Sequence, residues 1–275
     1  MTQTWYSEDE PTPPKLTLGG GLRAFLRAIP LALNTFGCLM ILLLVRLVER
    51  PLFGQRRPVT PWITQYVCRS AFFILGMRYR VEGLPMAGAG ALVSNHVSWL
   101  DIFALNAPQR IYFVSKAEVA GWPGIGWLAR ATGTVFIRRE RADAAAQKAL
   151  FKERLGYGHR LVFFPEGTST DGQRVLPFRS TLFAAFFEEG MQEMSLQAVT
   201  LIYEAPEGQD PRYYGWWGDM DFGGSLLAVL MARRPGSVRV VFHEPVPITE
   251  FAGRKEAARR LHALVEGPIT QGAGA

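Results

Sequence analysis

Cysteine is almost missing from this 275-residue chain, which holds only Cys38 and Cys68. Two thiols cannot make a disulfide framework or a four-thiolate zinc site, and they give no evidence for an oxidising compartment; a cytosolic face is the simpler default. Histidine is scarce too, with four residues. His159, His243 and His262 sit in no ligand-like pairing and read as surface or strand-end residues, which leaves a hydrolytic metal site poorly supplied. No Gly-x-Ser-x-Gly occurs in the chain, so it lacks the nucleophile elbow of a serine hydrolase or thioesterase. Repeats at a solenoid period and a long Gly/Ser linker are both lacking, which excludes stacked-repeat architectures. Charged residues amount to 20% against 48% for the hydrophobic set, a balance that excludes disordered and low-complexity chains. What remains is room for one large α/β domain or two small ones, burying roughly three quarters of the unfolded surface.

Among the features present, the first is charge. Thirty basic against 24 acidic residues give +6, which suits an anionic partner such as an acidic lipid or an acidic carrier protein. Nucleic acid is not expected, because no basic platform interleaved with aromatics supports it. The second is an apolar run. Residues 1–22 are rich in Pro, Gly and Thr and read as a flexible arm. Then come 18 uncharged residues, Ala28 to Val45, spanning about 27 Å as a helix, just under a hydrocarbon core of about 30 Å. Basic residues flank the run on both sides, where a spanning helix favours one side only. That symmetry suits a helix entering one leaflet or lying in the interface, with Ala71–Met77 as the second arm of a hairpin. Residues 23–77 are thus expected to attach the protein to a membrane; a buried core helix is the alternative. No small-x-small cleavage site follows, so a secretory signal is not expected.

From Met77 onward short β-rich runs alternate with helical stretches. Strands are expected at Arg78–Val81, Ala91–Ser94, Ile111–Ser115, Thr134–Arg138, Leu161–Phe164, Ala198–Tyr203 and Val238–His243. Helices are expected at Ser98–Leu105, Gly124–Ala131, Ala142–Leu155, Ser180–Glu188, Gly224–Ala232 and Arg254–Val265. The alternation argues for a single α/β domain with a largely parallel sheet over 78–266, followed by a flexible tail at 267–275. Gly124–Ala129 spells a G-x-G-x-x-A, but it follows Ala120-Gly121-Trp122-Pro123 rather than a strand, so a dinucleotide site is not expected. The least regular stretch, Glu204 to Gly218, carries Tyr213, Tyr214, Trp216 and Trp217, suited either to a bilayer interface or to packing under a long loop.

Three segments carry chemistry. In Ser94-Asn95-His96-Val97-Ser98-Trp99-Leu100-Asp101 a strand ends and a helix starts, which places His96 at the sheet edge where α/β sites collect. Five helical steps would leave His96 and Asp101 about 140° apart on a regular helix. With His96 in the preceding loop, however, a carboxylate in the first turn can fold back on the imidazole and make it a general base. Ser98-x-x-Asp101 also fits a capping box, a compatible role. In Phe164-Pro165-Glu166-Gly167-Thr168-Ser169-Thr170 an apolar strand runs into a turn. There Gly167 allows close approach, Thr168 and Ser169 offer hydroxyls, and Glu166 offers a carboxylate, so the loop could hold a hydroxyl-bearing head group or be an ordinary turn. In Gly133–Arg141 a strand delivers Arg138 and Arg139 to one end of the sheet, suited to phosphate or carboxylate, while Arg141 reads as a solvated charge.

Together, in this order, the segments resemble the glycerolipid acyltransferase family, the bacterial lysophosphatidate acyltransferases and their relatives. Asn95, His96 and Asp101 match its Asn-His-x4-Asp motif. Gly133, Phe136, Ile137 and Arg139 match Gly-x-x-Phe-Ile-x-Arg, and Phe164 to Thr168 match Phe-Pro-Glu-Gly-Thr. A fourth apolar strand fits Ala198–Tyr203 without its usual Pro. The resemblance covers roughly residues 60–203. It implies that His96, oriented by Asp101, deprotonates a lysolipid hydroxyl that attacks the thioester of acyl carrier protein or acyl-CoA. No cofactor, metal or covalent acyl-enzyme is implied. Arg139, Glu166, Gly167, Thr168 and Ser169 are implied to bind substrate, at the cytoplasmic face of the inner membrane. One departure bears on the acceptor: relatives that acylate phosphate-bearing lipids usually carry Arg after the third motif, and here Ser169 stands there. The run from Thr168 to Arg174 is similar to that of the bacterial lyso-ornithine lipid acyltransferases, which implies a lyso-ornithine lipid acceptor. The alternatives are 1-acylglycerol 3-phosphate, with Arg138, Arg139 or Arg179 holding the phosphate, and a non-catalytic lipid-binding protein that kept the fold.

Overall fold

In this computed structural model the described residues are 4–7, 9–12, 14–122, 124–137 and 144–272. Arg138 and Arg139, expected near the site, lie outside them, as do Arg141, read as a solvated charge, and residues 273–275 of the tail.

The chain enters through two long helices, α1 (Leu18–Phe53) and α2 (Thr60–Leu75). The helix α1 starts ahead of the expected boundary at residue 23 because Thr17 caps it, its hydroxyl accepting from Gly20 N. Next come β1 (Arg78–Glu82), β2 (Gly90–Ser94), α3 (Asp101–Asn106), β3 (Tyr112–Lys116), α4 (Ile125–Thr132), β4 (Val135–Ile137), α5 (Ala144–Gly156) and β5 (Arg160–Phe163). The chain continues through β6 (Ser195–Glu204), α6 (Phe222–Met231), β7 (Ser237–Phe242), β8 (Val246–Pro247) and α7 (Arg254–Gly272).

The strands form one eight-stranded sheet in the order β1-β7-β6-β2-β5-β3-β4, with β8 also on β6. Every pairing is parallel except β6 with β7 and β6 with β8. A parallel sheet must be covered on both faces, and its central strands accordingly read as continuous apolar runs. All of β2 and most of β5 and β6 are buried. One face carries Leu161, Phe163, Leu196 and Ala198 against α5, α7 and the turn at Ser180–Phe187. The other carries Leu92, Val162, Val199 and Leu201 against α2, α3 and α6.

The segment Ser180–Phe187 is a 3-10 helix rather than the α-helix expected. Three residues per turn align Phe183 and Phe186 on one side, and both are fully buried.

The helix α1 is long and apolar enough to cross a membrane, and only 6% of its most apolar window is buried. At 1.5 Å per residue it runs about 54 Å, well beyond a hydrocarbon core of about 30 Å. Both its ends are fastened to the rest of the protein. Near its start, Arg23 Nε donates to Met231 O at 2.9 Å, and Arg27 Nη1 donates to Leu230 O and Ala232 O at 2.9 and 2.6 Å. These are the terminal carbonyls of α6, which lack helical partners. Near its end, Glu49 is buried and accepts from Val59 N, Thr60 N and Thr60 Oγ1 at 2.7, 3.0 and 2.7 Å, capping α2. The expected second arm at Ala71–Met77 departs from expectation in part. It does belong to α2 and its exit, but Ala71, Phe72, Leu75 and Met77 face the core, and the exposed apolar residues of α2 are Trp62, Tyr66 and Phe73.

Candidate active site

The sheet sets up the site by ending β2 in an unusual way. Asn95 is fully buried; its Nδ2 donates to Leu201 O at 2.9 Å and its Oδ1 accepts from Leu201 N at 2.8 Å. The side chain thus extends the pairing of β2 with β6 beyond its last residue pair, Ser94 with Val199. Because the side chain does this, the main chain is free to turn, and it lifts His96 over the carboxyl edge of the sheet, where ligand sites of parallel sheets form.

His96 Nδ1 lies 2.8 Å from Asp101 Oδ2. The imidazole stacks on Phe164, with ring centroids 4.1 Å apart and planes 12° apart. Its peptide N–H donates to Glu166 Oε1 at 2.7 Å, and its carbonyl accepts from Thr170 N at 2.9 Å. The residue is thereby fixed on both backbone sides and on one ring face. Its Nε2 has no hydrogen bond among the described residues, and the side chain is 25% exposed. That is the arrangement of a base: one ring nitrogen anchored to a carboxylate, the other offered outward.

Asp101 is fully buried at the start of α3, three residues later than the expected helix start at Ser98. Its Oδ2 also accepts from Val97 N and Ser98 N, at 2.8 and 3.1 Å. The oxygen that orients the histidine therefore also satisfies two N–H groups of the loop that leads into α3. The capping box does not form through Ser98, whose buried hydroxyl has no partner. Asp101 Oδ1 takes the hydroxyl of Tyr203 at 2.8 Å.

The second loop follows β5. Gly167, at φ +79°, makes its turn and donates to Phe164 O at 3.1 Å. Glu166 is 1% exposed, and both of its oxygens are taken by backbone: Oε1 by His96 N and Oε2 by Leu176 N at 2.8 Å. Its carboxyl thus sits beneath the site and stitches the two motif loops together, where the sequence suggested an acceptor turned to a head group. Burial pushes its pKa up to about 8, against the pull of the two N–H donors; Asp101 and Asp171 push the same way. Thr168 and Ser169 are partly exposed at the loop's edge.

Sequence reasoning missed two neighbours. Tyr203 is one; the available signal was a polar-tipped aromatic at the carboxyl end of a strand. The other is the N-terminal arm. Trp5 N donates to Thr168 Oγ1 at 3.3 Å, and the Trp5 ring meets Trp217 edge-on at 5.5 Å, with the Arg174 guanidinium over it. Tyr214 and Trp217 are each 2% exposed, so for these two the loop at 204–218 uses its aromatics in packing. That loop is joined to the first motif by Trp216 N, which donates to Val97 O at 2.9 Å. Among the described residues no group of three or more His, Cys, Asp and Glu stands together as a metal site.

A two-faced α/β sheet with a buried carboxylate holding an outward-facing histidine at its carboxyl edge is an arrangement suited to general acid–base chemistry. Comparison narrows the class, for a family model described as Acyltransferase matches residues 78–203, which contain all of these groups. The chain is 54% identical over 273 residues to the lyso-ornithine lipid O-acyltransferase of Rhodobacter capsulatus, covering 98% of this chain and 99% of that one. It is 37% identical to the lyso-ornithine lipid O-acyltransferase of Brucella abortus, over 78% and 85% of the two chains. A 1-acyl-sn-glycerol-3-phosphate acyltransferase of Neisseria gonorrhoeae is 38% identical over 44% of this chain and 47% of its own. In fold, the crystal structure of the 1-acyl-sn-glycerophosphate acyltransferase of Thermotoga maritima superposes with a TM-score of 0.67 at 20% identity, over 93% of this chain and 97% of that one. This protein belongs to the acyltransferase family, and it is an enzyme of lipid acyl transfer.

Proposed function

We propose that this enzyme transfers a fatty acyl chain from an acyl thioester to the free hydroxyl of lyso-ornithine lipid. The observation that carries the reading is His96 held on Asp101 at 2.8 Å, in a chain 54% identical along almost its whole length to a lyso-ornithine lipid O-acyltransferase. His96 Nε2 takes the proton of the lysolipid hydroxyl as its oxygen attacks the thioester carbonyl. Asp101 stabilises the imidazolium that forms. The tetrahedral intermediate collapses with cleavage of the C–S bond, and the imidazolium returns its proton to the departing thiolate. Thr168, Ser169 and Arg139 bind the acceptor, and Glu166 and Gly167 shape the loop that presents Thr168 and Ser169.

The basic surface favours acyl carrier protein as donor, with acyl-CoA the other thioester of the same chemistry. Residues 23–77 attach the enzyme to the cytoplasmic face of the inner membrane, and the domain at 78–266 carries the site. Because the start of α1 is tied to α6 of the domain and its end to α2, which packs on the domain core, we place α1 along one leaflet rather than across the bilayer. Acylation of 1-acylglycerol 3-phosphate is the second reading, supported by the Neisseria relative.

The test offers purified enzyme lyso-ornithine lipid and lysophosphatidate side by side, with each thioester in turn. Preferred acylation of lyso-ornithine lipid is expected, and preference for lysophosphatidate would reverse the assignment of acceptor. His96→Ala should lower the rate by about 10²–10⁴-fold, the usual worth of a positioned base. Full activity in that variant would remove the general-base role.

A further inference from the structure

The carboxylate of Asp101 has two oxygens with very different surroundings. Oδ2 receives His96 Nδ1, Val97 N and Ser98 N, all from the same short loop. Oδ1 receives a single described donor, the hydroxyl of Tyr203, at 2.8 Å and from 102 residues away in sequence. Asp101 is fully buried, so no water replaces that donor without opening the fold. Three donors on one oxygen fix its position but leave the carboxylate free to pivot about it. A donor on the second oxygen fixes the plane, and the plane of the carboxylate sets the plane of the imidazole bonded to it. Tyr203 comes from β6, the strand to which Asn95 anchors the loop. The same strand therefore positions both ends of the motif.

We infer that Tyr203 is a positioning residue for acyl transfer, its hydroxyl orienting Asp101 and through it His96. This rests on His96 being the general base. The phenol is suited to the task because burial and the Asp101 charge hold its pKa well above the ordinary range, so it stays a donor. The titratable groups around it are Asp101, Tyr79 and Tyr214, and both neighbouring tyrosines are likewise raised by burial. Of these three, Asp101 is the carboxylate. A donated hydrogen bond disperses part of its charge and so tempers its hold on a proton at His96.

Tyr203→Phe removes the hydroxyl and little else. In the full-length enzyme, with lyso-ornithine lipid and acyl carrier protein thioester, it should lower kcat by about 10- to 100-fold, the range spanned by one hydrogen bond to a charged group. KM should hold. The acid limb of the kcat/KM profile should move to higher pH, because an undispersed Asp101 charge favours the protonated imidazole. Incorporation of 3-fluorotyrosine at position 203 keeps the shape and strengthens the donor, so kcat should persist and the limb should move to lower pH. In an Asp101→Asn background Tyr203→Phe should cause no further loss, since its effect runs through that carboxylate.

Wild-type kcat and pH profile in Tyr203→Phe, or an equal loss with and without Asp101, would overturn the inference. If the Phe variant fails to fold, the fluorotyrosine enzyme decides alone: an unmoved limb overturns the inference and a lowered one supports it. Loss of activity in His96→Ala alongside an unaffected Tyr203→Phe sinks only the role of Tyr203. Full activity in His96→Ala sinks the general-base reading itself, and the role of Tyr203 with it.

Discussion

Replacing Glu166 by Gln and following thermal unfolding of both proteins from about pH 5 to about pH 9 isolates one proton's contribution to the fold. In the folded chain the Glu166 carboxyl is raised from an ordinary 4.5 to about 8. Between those values the native state binds more protons than the unfolded state, so stability falls as pH rises, by about 1.4 kcal/mol for each pH unit. Below the ordinary value the group is protonated in both states and contributes no slope. Across the whole window the loss reaches on the order of 5 kcal/mol, an upper bound because any water admitted to the carboxyl relieves its burial. At about 2 °C or more per kcal/mol for a chain of this size, the wild-type unfolding temperature should fall by roughly 10 °C relative to the variant.

Glu166→Gln keeps one acceptor and turns an amide N–H toward the other backbone donor, so it starts less stable. That offset does not change with pH, and only the difference in slope matters. Far-UV circular dichroism in a non-ionic detergent is sufficient as a readout. Parallel curves would refute the reasoning. They would mean that Glu166 is already ionised in the fold at neutral pH, with the N–H groups of His96 and Leu176 outweighing burial.

Two further predictions concern the parts that hold the site from a distance. Glu49→Ala leaves Arg46, bonded to it at 2.9 Å, and the N–H groups of Val59 and Thr60 without their acceptor. Losing a charged acceptor shared by these groups costs about 1.5–3 kcal/mol, measurable by denaturant unfolding, with proteolysis between α1 and α2 as a second readout; a loss well under 1 kcal/mol would contradict the capping role. His159 lies among the guanidiniums of Arg154 and Arg57, and burial first, then Arg154, lowers its pKa from 6.5 to about 4. Within that window the unfolded state binds the extra proton, so stability should fall as pH drops from 6.5 toward 4. His159→Gln, which keeps an acceptor for Arg154 Nε, should flatten that acid-side slope in a series of thermal melts.

Much of this protein was legible in one dimension because the determining interactions are short in sequence. Alternation of β-rich runs with helical periods reports which faces must be buried, and that fixed an α/β sheet and the approximate place of its strands. The spacing of His96 and Asp101 placed a carboxylate within reach of an imidazole, since a loop followed by one helical turn has few ways to fold. The apolar run of α1 was plain from composition, and Ser169 after the third motif pointed toward the acceptor.

Other assignments depended on which strands lie side by side, and no local pattern states that. Only the placement of β6 beside β2 brings Leu201 to Asn95 and Tyr203 to Asp101. Glu166 looked like a ligand for substrate because a carboxylate beside Gly and Thr is ordinarily solvated. Tertiary structure turned it inward, where two backbone N–H groups wait. The arm before α1 carried no periodicity, yet Trp5 finds Trp217 and Thr168 more than 150 residues away. The ties at the two ends of α1, through Arg27 to α6 and Glu49 to α2, are likewise set by tertiary structure. Hydropathy measures how much apolar surface a segment offers; only the packed chain determines which side of it meets protein.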